Sequence, residues 1–319
     1  MRCVITGVAG FVGSSLADLL LSLGYEVTGI DCFIDYYPKE LKLKNLESAL
    51  QNKNFKFHEA NLLDLDLVDV LQGADYIFHQ AAQAGVRASW GKDFEIYTNN
   101  NILASQVLLE ACRNPKVKEN LKKVVYASSS SVYGDAESLP TTENMLPCPL
   151  SPYGVSKLAA EHLMVLYTKE FGVPTASLRY FTVYGPRQRP DMGFNRFIKA
   201  TLTNQPIKVF GDGEQSRDFT FISDAINANL LAATNPTPEL VYNVGGGSRV
   251  TVNQVLNMIK EITGKTPNVA YENRQYGDVK HTAADTSRAR NAFKYAPKVD
   301  LKTGLTHEAN WLESLLTKQ

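Results

Sequence analysis

The segment from Ser151 to Lys157 contains the pair of side chains best suited to proton transfer. Tyr153 and Lys157 are four residues apart, and Pro152 suits the first position of a helix, so both side chains lie on one helix face. A phenol with a pKa of about 10 is a poor base at neutral pH, but a nearby lysine ammonium favours its phenolate. Tyr153 is therefore a candidate base for taking a hydroxyl proton while a hydride leaves the same carbon. The same spacing also occurs by chance in many helices.

Four consecutive serines, Ser128 to Ser131, follow the apolar run Lys123–Ala127. Such a run predicts a buried strand, and open α/β sheets bind their ligands beyond the carboxyl ends of parallel strands. The serines are therefore either hydroxyl donors near a reacting oxygen or a polar transition from strand to loop.

A glycine-rich loop containing Gly7, Gly10 and Gly13 lies between the first predicted strand and the first predicted helix. Glycines permit a sharp turn and a close approach to a pyrophosphate, whose charge the helix N-terminus favours. A tight turn without a ligand is the other interpretation. Asp31, at the end of the second strand, could accept hydrogen bonds from both ribose hydroxyls of an adenosine, or be a surface acid. No arginine follows Asp31, and its charge repels a 2′-phosphate, so the pattern predicts NAD rather than NADP.

Apolar runs alternate with amphipathic segments over the first 180 residues, which predicts a parallel sheet covered by helices on both faces. The predicted strands are Arg2–Thr6, Glu26–Ile30, Phe55–His58, Tyr76–Phe78, Lys123–Ala127 and Thr175–Tyr180. The predicted helices are Phe11–Leu23, Lys39–Leu50, Asn101–Cys112, Tyr153–Phe171, Asn195–Leu202, Ile222–Ala233, Val252–Ile262 and Leu305–Leu316. Glycine and proline cluster after Phe181. We expect an α/β fold, a Rossmann-type doubly wound parallel sheet with a smaller C-terminal substrate domain.

Composition excludes several other classes of protein. Apolar residues make up 44% of the 319 residues, which supports a packed core and roughly two domains. Basic and acidic residues number 33 each, so we expect neither nucleic acid nor an anionic membrane as a partner. No apolar run approaches the roughly 18 residues of a spanning helix. The start shows no secretion signal and the four cysteines no paired spacing, so we expect a cytoplasmic protein without a metal site.

Together these motifs resemble the extended short-chain dehydrogenase/reductase family, specifically its NAD-dependent nucleotide-sugar epimerases and dehydratases. The resemblance covers essentially the whole chain. It is carried by Gly7, Gly10, Gly13, Asp31, His79–Ala82, Ser128–Gly134, Tyr153, Lys157, Arg179–Pro186 and Arg217–Asp224. It implies a tightly held NAD that is reduced and reoxidised within one turnover, and a homodimer formed through the helices near 101–112 and 154–171.

The resemblance also implies individual roles. Tyr153 is the implied base, Ser129 the hydroxyl bonded to the sugar O4, and Lys157 a partner of the cofactor ribose. The implied cofactor contacts are Gly7, Gly10, Phe11, Val12, Gly13, Asp31, Asn61, Leu62, Ala81, Asn101, Tyr153 and Lys157. We expect His79 to be a packed residue rather than a ligand. Residues 1–180, with about 217–242 returning to them, would bind NAD, and the interleaved 181–319 would bind the nucleotide-sugar.

The type of reaction depends on the two residues before Val132. Dehydratases of this family carry an Asp-Glu pair there, and decarboxylases carry Glu in the second position. Here the residues are Ser130 and Ser131. A hydroxyl cannot replace a carboxyl in general acid–base work, so elimination is disfavoured and epimerisation at C4 is favoured.

Three stretches resemble those of UDP-glucuronate 4-epimerases: 35–38, 83–90 and 182–192. Galactose-type epimerases have Asn at the position of Thr182, whose short hydroxyl could bond a C5 carboxylate. That carboxylate needs a cation when desolvated, and we expect Arg189 first, then Arg87 or Arg187. These arginines could instead hold the diphosphate or surface loops.

The remaining substrate contacts are implied by the same resemblance. Arg217 matches the diphosphate arginine, Phe210 would lie against uracil, Asp278 would hold the uridine ribose, and Arg274 would be a second phosphate contact. The full implied set is Arg87, Ser129, Ser130, Ser131, Thr182, Arg187, Arg189, Phe210, Arg217 and Asp278.

The expected function is NAD-dependent 4-epimerisation of UDP-glucuronate to UDP-galacturonate through a transient 4-keto sugar. The alternatives are a 4-epimerase of neutral or N-acetylated UDP-hexoses, a UDP-glucuronate decarboxylase, and a non-catalytic NAD-sensing scaffold. The intact set of Ser129, Tyr153 and Lys157 argues against the scaffold.

Overall fold

The computed structural model describes residues 1–136, 138–273 and 276–317. Within those ranges the strands are β1 (Arg2–Thr6), β2 (Glu26–Asp31), β3 (Phe55–Glu59), β4 (Tyr76–His79), β5 (Lys123–Ser129), β6 (Thr175–Tyr180), β7 (Val183–Tyr184), β8 (Pro206–Phe210), β9 (Ser216–Asp218), β10 (Thr220–Phe221), β11 (Val241–Val244), β12 (Arg249–Thr251) and β13 (Asn268–Glu272). The helices are α1 (Phe11–Ser22), α2 (Lys39–Leu50), α3 (Leu67–Leu71), α4 (Phe94–Tyr97), α5 (Ala104–Arg113), α6 (Pro115–Lys118), α7 (Pro152–Phe171), α8 (Gly193–Leu202), α9 (Ile222–Thr234), α10 (Val252–Thr263), α11 (Ser287–Phe293) and α12 (Leu301–Leu316).

The central sheet has seven strands in the order β11-β6-β5-β4-β1-β2-β3. All its pairs are parallel, and β1 runs from Arg2 opposite Glu26 to Thr6 opposite Ile30 of β2. Because β1 pairs with β2 on one side and β4 on the other, the chain winds away from β1 in both directions. The crevice at this reversal is where open α/β sheets bind ligands. The predicted α/β class is confirmed.

Each face of the sheet is buried under helices because alternate strand residues point to opposite faces and both sets are apolar. On one face, Ile5 packs in a cluster with residues of α1, α9 and α11. On the other, Val4 packs with residues of α3, α5 and α7. No helix within the described ranges is long and apolar enough to cross a bilayer.

The segment after residue 181 contributes both to this sheet and to a third apolar cluster. β11 pairs with β6 at the sheet edge, whereas residues of α8, α10 and α12 pack together in the separate cluster. The strands from β7 onward were not predicted. Four of them, β7, β9, β10 and β12, have only two or three residues, which is too few to show a period. The division into two domains at residue 180 stays a prediction.

Local signals set the helix boundaries closest to the site. At α7, Pro152 follows a cap in which Ser151 Oγ accepts the Gly154 N–H at 3.1 Å, and Gly172 with φ +64° ends the helix. The helix predicted to begin at Asn101 in fact begins with α4 at Phe94 and passes through a π-type segment at 98–103. The wider turn breaks the 3.6-residue period on which the prediction depended.

Candidate active site

A cavity of about 1050 Å³ lies at the carboxyl ends of the central strands. It reaches the upper end of the usual range for ligand pockets, roughly 300–1,000 Å³. Twenty of the predicted site residues line it: Gly7, Gly10, Phe11, Val12, Gly13, Asp31, Asn61, Leu62, Ala81, Arg87, Ser129, Ser130, Ser131, Tyr153, Lys157, Thr182, Arg189, Phe210, Arg217 and Asp278. The sheet therefore brings residues from distant parts of the chain to one edge.

Asn101 lies beneath this cavity rather than in its wall. Its buried amide accepts the Gln83 N–H at 2.7 Å and donates to the Gln83 carbonyl and the Ser156 hydroxyl at 3.0 and 2.8 Å. It thereby ties the loop after β4 to the start of α7.

Arg187 lies outside the cavity wall in this structure, and its predicted contact with the substrate stays a prediction. This residue has φ +71°, and its guanidinium donates to Asp18 of α1 at 2.7 Å instead of lining the cavity. Because of this left-handed backbone, the side chain of Arg187 does not line the cavity as that of Arg189 does. The residue type alone does not reveal such a conformation. Arg274 lies outside the described residues.

Tyr153 and Lys157 stand one turn apart on α7 and both line the cavity. Burial raises the pKa of Tyr153, while the positive charge of Arg189 and a hydrogen bond with Ser129 oppose that rise. Burial lowers the pKa of Lys157 to about 7. Its Nζ lies 4.5 Å from the ring centroid of Tyr126. In this structure the charge of Arg189 favours the phenolate of Tyr153, and the expectation that Lys157 also does so stays a prediction.

Glu161 continues the same helix face one turn beyond Lys157, and sequence reasoning missed it. Its buried carboxylate accepts hydrogen bonds from Ser128 Oγ at 2.6 Å and from Nε and NH2 of Arg179 at 3.0 and 2.6 Å. The charge of Glu161 opposes the loss of the proton from Lys157. The spacing of Tyr153, Lys157 and Glu161 at successive fourth positions was the available signal.

The glycine loop has the geometry that a close phosphate approach needs. Gly7 has φ +70°, and a Cβ on Gly13 would lie 2.2 Å from the Gly7 carbonyl oxygen. Asp31 accepts the N–H groups of Ala9 and Phe33 at 3.0 and 2.8 Å. Burial raises the pKa of Asp31, and these two N–H groups oppose the rise. The carboxylate is thereby fixed in the wall of the cavity.

Two further residues of this wall, Lys42 and Tyr37, were not predicted. The buried Lys42 donates to the Ile34 carbonyl at 2.6 Å and lies 4.8 Å from the ring centroid of Tyr37. The Tyr37 hydroxyl is buried and has no hydrogen-bond partner among the described residues. The glycine turn, the Asp31 carboxylate and the Lys42 ammonium line one wall, so the residues present fit a dinucleotide. Lys42 shares its helix face with the buried Leu46 and Ala49, a spacing that could have revealed it.

Arg189 lies near Tyr153 and also near the loop that carries Tyr36 and Tyr37. Its Nε and NH2 donate to the two carboxylate oxygens of Asp191, each at 2.9 Å. The Tyr36 hydroxyl donates to the same carboxylate at 3.2 Å. Thr182 lines the cavity as well.

Three predicted nucleotide contacts, Phe210, Arg217 and Asp278, meet at the far end, together with Arg87, which was predicted as a candidate partner of the sugar carboxylate. Arg87 donates to Asp278 from NH2 and Nε at 2.6 and 3.3 Å, and its guanidinium carbon lies 4.3 Å from the Phe210 ring centroid. Arg217 donates to the carbonyls of Val279 and, at 3.1 Å, Lys280. This end of the cavity is thus rich in cations and hydrogen-bond donors.

His79 is fully buried outside the cavity wall. Its ring nitrogens contact Thr6 Oγ1 at 2.7 Å and Ser105 Oγ at 2.9 Å, and burial lowers its pKa to about 3. The neutral ring is a packed residue, as expected.

Comparison with known proteins places the chain among enzymes of one family. The family model "NAD dependent epimerase/dehydratase family" matches residues 3–245, and the chain belongs to that family. A protein of Bacillus subtilis named as an uncharacterized UDP-glucose epimerase is 46% identical over 99% of both chains. The UDP-glucuronate 4-epimerase of Thermodesulfobacterium geofontis is 37% identical over 97% of this chain and 95% of that protein.

A solved structure shows the same architecture with ligands bound. The UDP-glucuronic acid 4-epimerase of Bacillus cereus, in complex with UDP-glucuronic acid and NAD, superposes with a TM-score of 0.95. It is 44% identical, over 99% of this chain and 100% of that chain. The resemblance to NAD-dependent nucleotide-sugar epimerases is thereby confirmed at the level of the family.

Proposed function

We propose that this protein is an NAD-dependent 4-epimerase that converts UDP-glucuronate to UDP-galacturonate. The observation that carries the proposal is the position of Arg189, which lines the cavity close enough to Tyr153 for its charge to lower the pKa of the phenol. A sugar oriented with its C4 hydroxyl at Tyr153 has its C5 substituent nearby. A desolvated carboxylate at that position needs a cation, and Arg189 supplies one.

The cofactor would be held along the glycine loop and the second strand. The glycines admit the pyrophosphate to the N-terminus of α1, Asp31 accepts from the adenosine ribose, and Lys42 and Tyr37 close the same wall. When bound, NAD takes up the C4 hydride and returns it to the opposite face of the sugar.

Tyr153 removes the proton from O4 as the carbon is oxidised and gives it back after the keto sugar has turned. Ser129 is hydrogen bonded to the same phenol and is placed to hold O4. Burial lowers the pKa of Lys157 to about 7, and this side chain would donate a hydrogen bond to the cofactor ribose. Together the three side chains move one proton without a carboxylic acid.

The sugar carboxylate must survive the oxidation. A ketone at C4 is β to C6, and such acids lose CO₂ when the C5–C6 bond stands perpendicular to the carbonyl plane. Arg189 and Thr182 would hold the carboxylate away from that alignment, and Ser130 and Ser131 offer no acid to protonate the resulting enolate.

The UDP part would occupy the other end of the cavity. Phe210 presents a ring to uracil, Arg217 and Arg87 face the diphosphate, and Asp278 accepts from the ribose. In this arrangement the ion pair between Arg87 and Asp278 opens when the nucleotide binds.

UDP-glucose is a second candidate substrate, and a specific contact favours it. Asp191 already neutralises Arg189 by a bidentate ion pair, which lowers the demand for an anionic sugar. The Bacillus subtilis relative named for UDP-glucose points the same way.

The deciding experiment supplies the purified protein separately with UDP-glucuronate, UDP-glucose and UDP-N-acetylglucosamine and identifies the products by NMR. We expect UDP-galacturonate to form fastest, with no product from any sugar in Tyr153→Phe. A faster reaction with UDP-glucose would show that the substrate is wrong while the reaction class stands. No product from any of the sugars, together with no transient NADH absorbance near 340 nm, would favour the scaffold.

We also propose a cytoplasmic homodimer built on α5 and α7. Three apolar side chains are about half exposed on this side of the protein. Leu103, in the π-type segment before α5, is 45% exposed, and Val155 and Leu166 of α7 are 46% and 49% exposed. Sedimentation analysis of the wild type beside Leu166→Glu tests this, since a charge in an apolar interface should yield monomers.

A further inference from the structure

We propose that Asp191 determines how strongly this site prefers an anionic sugar over a neutral one, by neutralising part of the charge of Arg189. The proposal rests on the proposed function, because it takes the C5 substituent of the sugar to lie beside Arg189. In this proposal Asp191 affects the choice of substrate but takes no part in the proton or hydride transfer.

The ion pair is built into the cavity wall. Arg189 and Asp191 both line the cavity, and their side chains are 20% and 39% exposed, so the pair stands at its mouth. Nε and NH2 of Arg189 are committed to Asp191 at 2.9 Å each. The remaining guanidinium hydrogens, on NH1 and NH2, are left for a substrate.

Asp191 is itself held in place from another part of the chain. Tyr36, in the loop after β2, donates to the Asp191 carboxylate at 3.2 Å, and the Arg189 guanidinium carbon lies 5.7 Å from the Tyr36 ring centroid. Three hydrogen bonds thus fix the carboxylate against Arg189. A carboxylate fixed in this way cannot move aside freely when a second one arrives.

This arrangement treats the two sugar types differently. A glucuronate carboxylate that binds Arg189 must share it with Asp191, and the two like charges repel each other at short range. The hydroxymethyl group of a neutral hexose meets no such repulsion. Asp191 therefore weakens the preference for the acid while it aligns the guanidinium plane.

The test compares Asp191→Asn with the wild type by measuring kcat/KM for UDP-glucuronate and for UDP-glucose. Asparagine keeps the shape but removes the competing charge, so we expect the ratio of the two values to rise about tenfold in favour of UDP-glucuronate. Asp212→Asn is the matched control. Asp212 lines the same cavity after β8 and caps the Glu214 N–H at 3.0 Å, so its loss should leave the ratio unchanged.

A second variant separates charge from position. Tyr36→Phe removes a hydrogen bond to Asp191 but keeps both charges, and its ratio should stay within about twofold of the wild type. Two results would overturn the proposal and leave Asp191 with a structural role alone. One is a rise of this ratio in Tyr36→Phe as large as that in Asp191→Asn. The other is an equal loss of kcat/KM with both sugars in Asp191→Asn.

If the wild type epimerises UDP-glucose alone, the substrate in the proposed function is wrong. If it epimerises UDP-glucuronate and the ratio does not move, only the role of Asp191 is wrong.

Discussion

Arg189 lies close enough to Tyr153 that its positive charge opposes the rise in the pKa of the phenol caused by burial. In the proposed function, this arginine would face both the tyrosine that exchanges the proton and the C5 substituent of the sugar. Recognition of an acidic sugar and the basicity of Tyr153 would then be coupled, and we expect a change at Arg189 to alter both.

We expect Tyr153→Phe to abolish epimerisation and to leave NAD bound. The variant loses the phenol that exchanges the proton, whereas the glycine loop and Asp31 are untouched. Turnover by NMR and cofactor content after denaturation give the two readouts. Retention of more than a tenth of the wild-type turnover would remove Tyr153 from the role of base.

We expect Arg189→Ala to lose ~2–4 kcal/mol of transition-state stabilisation with UDP-glucuronate, about 30- to 1,000-fold in kcat/KM. Because the arginine lowers the pKa of Tyr153, its removal should also shift the acidic limb of the pH profile to higher pH. The profile is measured with UDP-glucose, which does not need the cation for binding. An unchanged preference for UDP-glucuronate would assign the carboxylate to another residue.

We expect Asp31→Ala to weaken NAD retention and to narrow the preference for NAD over NADP. The substitution removes a ribose acceptor and a negative charge, while the Lys42 ammonium stays in the same wall. Binding of both cofactors is measured by calorimetry. In the double variant Asp31→Ala/Lys42→Met, which also lacks this ammonium, the narrowing of the preference for NAD over NADP should disappear. The interpretation fails if Asp31→Ala keeps the wild-type cofactor content and selectivity.

We expect Thr182→Val to raise the share of decarboxylated UDP-pentose among the products of UDP-glucuronate. Valine keeps the volume but cannot hydrogen bond, so the carboxylate of the keto sugar turns more freely. Mass spectrometry of the products at equal conversion measures the share. Thr203→Val, an exposed change on the surface, serves as the control and should form no additional pentose.

Glu308 predicts a pH dependence of stability. Burial raises its pKa from 4.5 to about 8, and one of its oxygens accepts the Gly185 N–H at 2.8 Å. Between these values the folded state keeps a proton that the unfolded state has lost. As pH rises from 4.5 to about 8, this carboxyl therefore lowers the free energy of unfolding, by up to about 1.4 kcal/mol per pH unit.

Glu308→Gln should accordingly melt at a higher temperature than the wild type above pH 8, with the difference vanishing below about pH 4.5. Glu313→Gln, an exposed change on the same helix α12, should show no such trend. A difference in melting temperature that does not vary with pH would show that Glu308 stays ionised in the folded protein.

Much of the site was predictable because its signals are local. The α7 cap, the glycine turn and the alternation of apolar runs each depend on residues within a few positions of one another. The contacts that were missed depend on how the chain folds back on itself. Tyr36 and Asp191, which share a hydrogen bond, are 155 residues apart in the sequence. Arg187 has a left-handed φ, and its side chain binds Asp18. Lys42 was missed because a lysine on a buried helix face is rare unless it is paired.

The ion pair between Arg87 and Asp278 joins residues 191 positions apart, and this distance has a consequence for synthesis. The residues proposed to hold the dinucleotide all precede residue 160, whereas the uridine end needs the chain as far as Asp278. Because chains emerge from the ribosome N-terminus first, every residue proposed to hold the dinucleotide is available before the uridine end is complete. We expect NAD in the translation mixture to protect from proteolysis ribosome-bound chains halted near residue 280, in which Asp278 is still inside the ribosome, and UDP not to do so.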